Sequence, residues 1–600
     1  MSYRAPVEEV SFFLTHCTSL PRLMAQGEVD LSPDLVESVL EEAGKFAAQE
    51  IAPLDRIADT TGPVLQDGVV TTSPGWRQTY AAWIAAGWNS VAAEERFGGQ
   101  HLPVTLTSAL NEFWNSACPA FGIGPVLTMG AIEALTAHGS KALQDSYLEK
   151  LVAGTWTGTM NLTEPQAGSD LAALRTRAEP QADGSYRIFG TKIFISYGEH
   201  DIAENIIHLV LARLPDAPAG TRGISLFVVP KFLVNADGSL GARNDVKAVG
   251  LEHKMGLHGS PTCTMSFGDS GAGAVGYVVG EENRGLACMF TMMNNARLAV
   301  GVQGVAVAER ATQRAVAFAR ERRQGKAPGW TGPAGEMSPI IAHPDVQRML
   351  LTMRAETDAA RALCLMTADA LDLARRLEEP NLKAAAFAQA SLLTPVAKAF
   401  ATDAGIKVAS LGVQVHGGMG FIEETGAAQH MRDARIFAIY EGTNGIQAID
   451  LVTRKITQED GDVVESLIAD YRDTAHTVSA LNAPDFGRTG ECLAEAVDAL
   501  ARATRIMRDW LDNGEQVKVL AGATPYLALF ARAAGGAYLA QAALAAHDAA
   551  KAGDGDPRQA ARIAVARFFA ENLAVEASGL EQAAITGGGV LSEAATVFGA

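Results

Sequence analysis

The chemistry in this chain starts from one carboxylate, Glu441, in the run Ile439-Tyr440-Glu441-Gly442-Thr443. An acidic side chain before a glycine turn is either a solvated turn residue or, if apolar neighbours wall it in, a general base whose pKa burial raises. Other segments carry hydroxyls and glycines. Met160-Asn161-Leu162-Thr163-Glu164-Pro165-Gln166-Ala167-Gly168-Ser169-Asp170 sets Thr163 and Ser169 around Gly168, whose bare backbone allows a ligand close. On spacing alone it also reads as an ordinary strand-to-turn exit. Gln414-Val415-His416-Gly417-Gly418-Met419-Gly420-Phe421 ends a helical pattern on two glycines, which either cap the helix or present bare N–H groups to a ligand. Arg297, in Asn294-Asn295-Ala296-Arg297, is either a ligand contact or one half of a salt bridge.

These residues lie in regions of different texture. After an N-terminal extension (1–30), residues 31–157 are helical. Ser32-Pro33-Asp34 opens a run whose apolar positions Leu35, Val36, Val39, Leu40, Ala43 and Phe46 share one helical face. Further helices are expected over 76–86, 106–116 and 140–152. Short β-type runs mark a middle domain (158–285): 186–189, 193–196, 206–211 and 224–229, punctuated by Asp183-Gly184 and Asp237-Gly238. That is the pattern of an antiparallel β domain. Helical spacing returns at Arg297, a Gly/Pro-rich segment 326–339 reads as a loop, and two long helices are expected over 344–374 and 382–415. Residues 286–456 form a helical domain of four-helix-bundle type, and an Ala-rich helical domain fills 457–600. The fold class is therefore α+β, mainly helical, with ligand sites expected at domain junctions.

The bulk numbers exclude several functions. The chain has 600 residues, 48% hydrophobic and 20% charged, with a formal net charge of −19. That balance disfavours nucleic-acid and anionic-membrane surfaces. Six scattered cysteines without CxxC spacing argue against a zinc site and a disulfide framework, and suggest a reducing, cytoplasmic setting. No metal is expected. The opening residues lack a signal-peptide apolar core. The apolar stretch 526–546 contains Arg532 and two glycines and reads as a buried helix instead of a membrane span.

Four segments in order resemble the acyl-CoA dehydrogenase family over roughly residues 31–455: the Met160–Asp170 and Gln414–Phe421 runs above, Gly190-Thr191-Lys192-Ile193-Phe194-Ile195-Ser196, and Met431-Arg432-Asp433-Ala434-Arg435 leading into Ile439–Asn444. The resemblance implies an FAD cofactor and an acyl-CoA substrate. It implies that Met160, Leu162, Thr163, Gly168 and Ser169 lie along the flavin, with Ser169 also near the acyl-CoA. Phe194 would pack on the flavin, where relatives often have Trp, and Ser196 would face the N5 edge. Arg322 and Gln324 match flavin-diphosphate contacts, although the aromatic that follows in relatives is missing here, and His343 matches a further cofactor position. Gln414, Gly417 and Gly418 would reach the FAD of a neighbouring subunit, which implies a homodimer. Thr443 and Asn444 fall beside the cofactor. Glu441 would take the α-proton of the thioester, with Tyr440 and Gly442 on the substrate side and Arg297 near the CoA. Asn294, where many relatives have an acid, would also bind the substrate, by a neutral hydrogen bond. An electron-transferring flavoprotein is the implied acceptor.

The length, the opening Tyr3-Arg4-Ala5-Pro6 with Phe12-Phe13-Leu14, and Lys254-Met255-Gly256-Leu257-His258-Gly259-Ser260-Pro261-Thr262-Cys263 resemble a longer branch. It includes 3-methylmercaptopropionyl-CoA dehydrogenases and broad-range bacterial fatty acyl-CoA dehydrogenases. The substrate would be a short thioether acyl-CoA or, alternatively, a straight-chain fatty acyl-CoA. The extension after Thr457 would cover a surface that shorter relatives use for tetramers. Two other classes remain in view. A DNA-binding relative needs a basic C-terminal face, whereas Arg502, Arg505, Arg508, Arg558, Arg562 and Arg567 stand among many acids. An acyl-CoA oxidase would pass electrons to oxygen.

Overall fold

A computed structural model describes residues 3–599, apart from Ala334 and the side chains of Asn294 and Ser592. The first long helix begins as its sequence dictates. Pro33 occupies the first turn, and Ser32 Oγ accepts the Leu35 N–H at 3.2 Å. Helices Val104–Ala117 and Pro119–His138 are buried on nearly every face, because the Gly285–Glu321 helix packs on both and the Trp156–Asn161 strand covers the second. Trp76, Trp83, Trp114 and Phe121 fill the centre, with Trp83 and Trp114 edge-on at 4.3 Å.

The middle domain is an eight-stranded sheet. Along its main path run Val246–Leu251, Thr262–Phe267, Tyr186–Ser196, Ala274–Val279, Ile224–Pro230, Asn205–Arg213 and Trp156–Asn161. Arg177–Pro180 pairs beside Tyr186–Ser196. The pairings are antiparallel except at the Asn205–Arg213 strand, against which Trp156–Asn161 runs parallel and Arg177–Pro180 forms one parallel bridge. The two runs expected at 186–189 and 193–196 are one bulged strand. Its register against Thr262–Phe267 shifts between Cys263 and Met265, and Phe194 takes a left-handed φ of 61° there. The strands Val246–Leu251, Thr262–Phe267 and Ala274–Val279 are not among the expected runs.

Three long helices, Gly285–Glu321, Pro344–Arg376 and Pro380–His416, form the next layer with the shorter Asn444–Asp450 and Leu451–Lys455 segments. The first begins twelve residues before Arg297, where its periodicity becomes visible in sequence. It meets the third at glycine: a Cβ on Gly304 would lie 2.3 Å from the Ala401 carbonyl oxygen, and one on Gly405 would lie 2.9 Å from that of Gly304. The C-terminal extension is a second helical layer whose Gln516–Lys551 helix packs on the Pro344–Arg376 helix. Arg532 crosses that seam, bonding Glu356 at 3.0 Å and Glu576 at 2.9 Å. The helices Pro119–His138 and Gln516–Lys551 are long and apolar enough to cross a membrane, but 78% of each apolar window is buried inside the protein. The N-terminal residues 7–25 form two helices; Arg562 stacks on Phe12 at 3.8 Å and pairs with Glu9 at 2.9 Å.

At the domain junction Arg361 is 2% exposed and pairs with Glu112, Glu309 and Asp358. Removing a buried cation strands its carboxylates without compensation. Arg361→Leu is therefore expected to destabilise the fold by about 3–5 kcal/mol. Arg472→Ala, which breaks a pair with both partners about half exposed, should cost less than about 1 kcal/mol. Thermal unfolding of the two variants checks this contrast; equal shifts would contradict it.

Candidate active site

Glu441 sits in a turn built against its own conformational preference. Its φ is 56° and that of Gly442 is 83°, so two successive residues are left-handed. A glutamate in that region is strained by about 1–3 kcal/mol and needs support. Three elements supply it. Thr443 Oγ1 accepts the Ile446 N–H at 3.2 Å and starts the Asn444–Asp450 helix directly after the turn. Gln447 Nε2 reaches back to the Glu441 and Gly442 carbonyl oxygens at 3.4 and 3.3 Å. Lys398, from the Pro380–His416 helix, donates to the Gly442 carbonyl and to Asn444 Oδ1, both at 2.9 Å.

The surroundings of Glu441 raise its proton affinity. Burial pushes its pKa up to about 7, against the opposing pull of Arg297 and Lys398. Arg297 is 7% exposed, and its guanidinium lies 3.7 Å from Asp450. Arg297 forms the ion pair with Asp450 and also lies beside Gly442, where a Cβ would stand 3.9 Å from its Nη2. Tyr440 Oη donates to Gln303 Oε1, and Gln303 Nε2 donates to Asn115 Oδ1 at 3.0 Å, so the residue before the turn is held as firmly as those after it. The Glu441 backbone N–H has no acceptor among the described residues.

A second cluster joins two of the sequence motifs. Lys192 is fully buried and bonds Glu164 Oε1 at 2.9 Å and the Leu162 carbonyl at 3.0 Å. Glu164 also accepts the N–H groups of Arg175 and Thr176 at 2.8 and 3.0 Å. Although burial opposes it, this pairing holds Glu164 down to about 2, while burial lowers Lys192 to about 8. The Ile193 N–H donates to the Thr163 carbonyl at 2.9 Å. Leu162 and Thr163 are thereby fixed alongside the Phe194–Ser196 strand. Met160 is buried at the end of the neighbouring strand, Ser196 is half-buried, and Gly168 and Ser169 are exposed. The left-handed φ turns Phe194 outward, leaving it 59% exposed.

The remaining expected residues form separate patches. Arg322 donates to Gln324 Oε1, and His343 Nε2 lies 2.9 Å from the Gln324 carbonyl, in the loop after the Gly285–Glu321 helix. Gln414, Gly417 and Gly418 are exposed at the end of the Pro380–His416 helix, with Gly417 at φ 60°. Among the described residues, no hydrogen bond or ion pair connects either patch to Glu441. The Asn444 side chain is committed to Lys398, Thr402 and Asp403 of the Pro380–His416 helix. The Asn294 side chain lies outside the described residues. Sequence reasoning missed Lys398, Gln303, Glu164 and Lys192. Of these only the Glu164–Lys192 pair left a signal, one opposite charge in each of two motifs.

A glutamate whose pKa rises on folding loses stability as pH climbs. Between the unfolded value near 4.5 and about 7, the folded state holds a proton that the unfolded state has released, so stability falls across that window and stays reduced above it. Glu441→Gln removes that penalty. It is expected to raise the unfolding midpoint at about pH 8, by on the order of 2 kcal/mol, and to leave it nearly unchanged near pH 5. A midpoint shift independent of pH would contradict the buried, proton-retaining environment.

Comparison with known proteins matches this arrangement domain by domain. Family models match residues 34–155 (acyl-CoA dehydrogenase, N-terminal domain), 159–270 (middle domain), 283–456 (C-terminal domain) and 467–594 (acetyl-CoA dehydrogenase C-terminal like). The 3-methylmercaptopropionyl-CoA dehydrogenase of Ruegeria pomeroyi is 46% identical over 586 residues, covering 96% of this chain and 97% of that one. The broad-specificity linear acyl-CoA dehydrogenase FadE5 of Mycobacterium tuberculosis is 33% identical over 585 residues, covering 95% of both. In three dimensions, an acyl-CoA dehydrogenase from Bacillus anthracis, complexed with FAD, superposes with a TM-score of 0.69 at 19% identity, covering 97% of this chain and 92% of that one. The similarity spans all the elements that carry the Glu441 turn, from the N-terminal helices to the C-terminal extension, and on that ground this chain belongs to the acyl-CoA dehydrogenase family.

Proposed function

We propose that this chain is an FAD-dependent acyl-CoA dehydrogenase that converts 3-methylmercaptopropionyl-CoA to its trans-2-enoyl thioester, with Glu441 as the base. The observation that carries the base assignment is the Glu441 turn: a half-buried carboxylate, raised toward neutrality, beside an unused backbone N–H. The α-proton of a thioester is weakly acidic. A base whose own pKa lies near the working pH is both deprotonated often enough and basic enough to remove it. Glu441 Oε accepts that proton, and the Glu441 N–H is positioned on the backbone to donate to the thioester oxygen as negative charge grows there. Arg297 supports the CoA side of the same pocket. The thioether substrate is favoured over a straight-chain one by the 46% identity to the Ruegeria enzyme against 33% to the broad-specificity one.

The residues present suit FAD. Phe194 offers an exposed aromatic face beside Thr163 and Ser196, a match for a flat ring with polar edges. Arg322 and Gln324 offer exposed donors for a diphosphate. Gly168, Gly417 and Gly418 leave their backbones open, with no atom within 4 Å of where a Cβ would stand. FAD, when bound, supplies the acceptor for the hydride that leaves the β carbon. Because the Arg322 and Gly417 patches stand apart from Glu441, a second copy of the chain completes the site in a homodimer. Met419, Phe421 and Ile422, at 51%, 84% and 46% exposure, provide the apolar surface beside those glycines. An electron-transferring flavoprotein in the cytoplasm is the acceptor this chemistry needs.

Anaerobic mixing of the FAD-loaded protein with a panel of acyl-CoAs tests the reaction. The flavin absorbance should bleach, fastest with 3-methylmercaptopropionyl-CoA. Faster bleaching by straight-chain thioesters would favour the fatty acyl reading, and bleaching by none would reject the dehydrogenase. Glu441→Gln should keep the yellow colour and lower the bleaching rate by at least about a thousandfold; near-normal turnover would remove Glu441 as base. Phe421→Glu should shift the dimer toward monomer in sedimentation, with weaker FAD retention.

A further inference from the structure

The Lys398 side chain raises a question of cost. It is fully buried, yet among the described residues no carboxylate stands within ion-pair distance of its ammonium. Its partners are a backbone carbonyl, that of Gly442, and a neutral amide, that of Asn444. Burying a charge against neutral partners is expensive, and a neutral amide side chain could have donated to both oxygens. A lysine at that position is explained if the charge itself is used.

Its position says where. Lys398, Thr402 and Asp403 lie along one strip of the Pro380–His416 helix and clamp the segment after the base. Lys398 holds the Gly442 carbonyl and Asn444 Oδ1, while Thr402 Oγ1 and Asp403 Oδ1 take the Asn444 amide N–H groups at 3.0 and 2.8 Å. One of the clamped residues, Gly442, is left-handed and directly follows the left-handed Glu441. Several charged or titratable groups surround Glu441. Arg297 comes from the Gly285–Glu321 helix, Lys398 and Asp403 from the Pro380–His416 helix, and Tyr440, Asp450 and Arg454 from its own segment. Arg297 is drawn toward Asp450 as well as toward Glu441. Lys398 has no such ion pair, and its electrostatic partners of opposite sign are Asp403 and Glu441.

We propose that Lys398 is a positioning residue for proton abstraction: it fixes the left-handed Glu441–Gly442 turn from the adjacent helix and places a buried positive charge beside the base. This rests on Glu441 being that base. The charge stabilises the carboxylate in its ready form and limits the rise in proton affinity that burial alone would impose. The hydrogen bonds hold the turn so that accepting a proton does not let it relax.

The test is the pH dependence of anaerobic flavin bleaching by 3-methylmercaptopropionyl-CoA in FAD-loaded wild type, Lys398→Met, Lys398→Arg and Asp403→Asn. Lys398→Met should move the acid limb of the rate upward by about one pH unit and lower the rate near neutrality about tenfold. Lys398→Arg should return the limb to its original position even if the rate stays reduced, because the charge is restored. Asp403→Asn should move the limb downward, since it removes the acid that competes with Glu441 for Lys398. An acid limb unmoved in both Lys398→Met and Asp403→Asn overturns the proposal, and if Lys398→Met does not fold, Asp403→Asn decides. Thermal unfolding gives a readout without turnover. The penalty of Lys398→Met should be larger with Glu441 present than in Glu441→Gln near pH 7.5, and equal in the two backgrounds near pH 5.5. Equal penalties at both pH values would reject the charge role. If no acyl-CoA bleaches the wild-type flavin, the proposed function fails, and the thermal comparison still decides Lys398.

Discussion

The close approach of two long helices, Gly285–Glu321 and Pro380–His416, is the constraint on which the site depends. They touch where Gly304 meets Ala401 and Gly405, and a side chain on either glycine would collide with the backbone opposite. That contact sets how far apart everything mounted on the two helices lies. Arg297 is on the first and Lys398 on the second, and the Glu441 turn bridges them. The ends of the same helices carry the two outlying patches, Arg322 to His343 and Gln414 to Gly418. Fixing one crossing therefore fixes the base, its electrostatic neighbours and the exposed glycine turn together.

Buried charge is the second theme. Glu164–Lys192 and Arg361 with its three carboxylates are fully paired, and their role is to join segments distant in sequence. The Glu441 turn is arranged differently. Its cations, Arg297 and Lys398, are near enough to act on the carboxylate, but they are tied to Asp450, Gly442 and Asn444. A direct ion pair would hold Glu441 at the low pKa of Glu164, where it would be too weak a base for an α-proton. The looser arrangement leaves it at about 7. The two glutamates thus show opposite uses of the same side chain, set by how closely a cation approaches.

Much of the architecture was legible in the residues. The Ser32-Pro33 start, the buried character of 526–546 and the two helices from 344 and 382 follow from capping chemistry and from apolar spacing sustained over many turns. The strands were less legible. Trp156–Asn161 is buried throughout and shows no alternation, and Tyr186–Ser196 is interrupted by a bulge that breaks its pattern. The start of the Gly285–Glu321 helix was missed because its first turns mix methionine, asparagine and glycine without a clear face.

The sequence by itself determined the family, the order of helical and β regions, and Glu441 as the carboxylate to examine, because these depend on short runs whose residue types are read locally. Only the tertiary structure decided what surrounds Glu441. In sequence Lys398 is one lysine in an alanine-rich helix, which ordinarily means a solvated position, and Asn444 is a polar residue after a turn. Folding buries the lysine and bonds the two side chains to each other across the gap between helix and turn. The partners of Lys398 are 44 and 46 residues away, and Arg297, the other cation acting on Glu441, is farther still along the chain. The pKa of a base is set by distances and burial, and no spacing along the chain encodes either until the helices have packed.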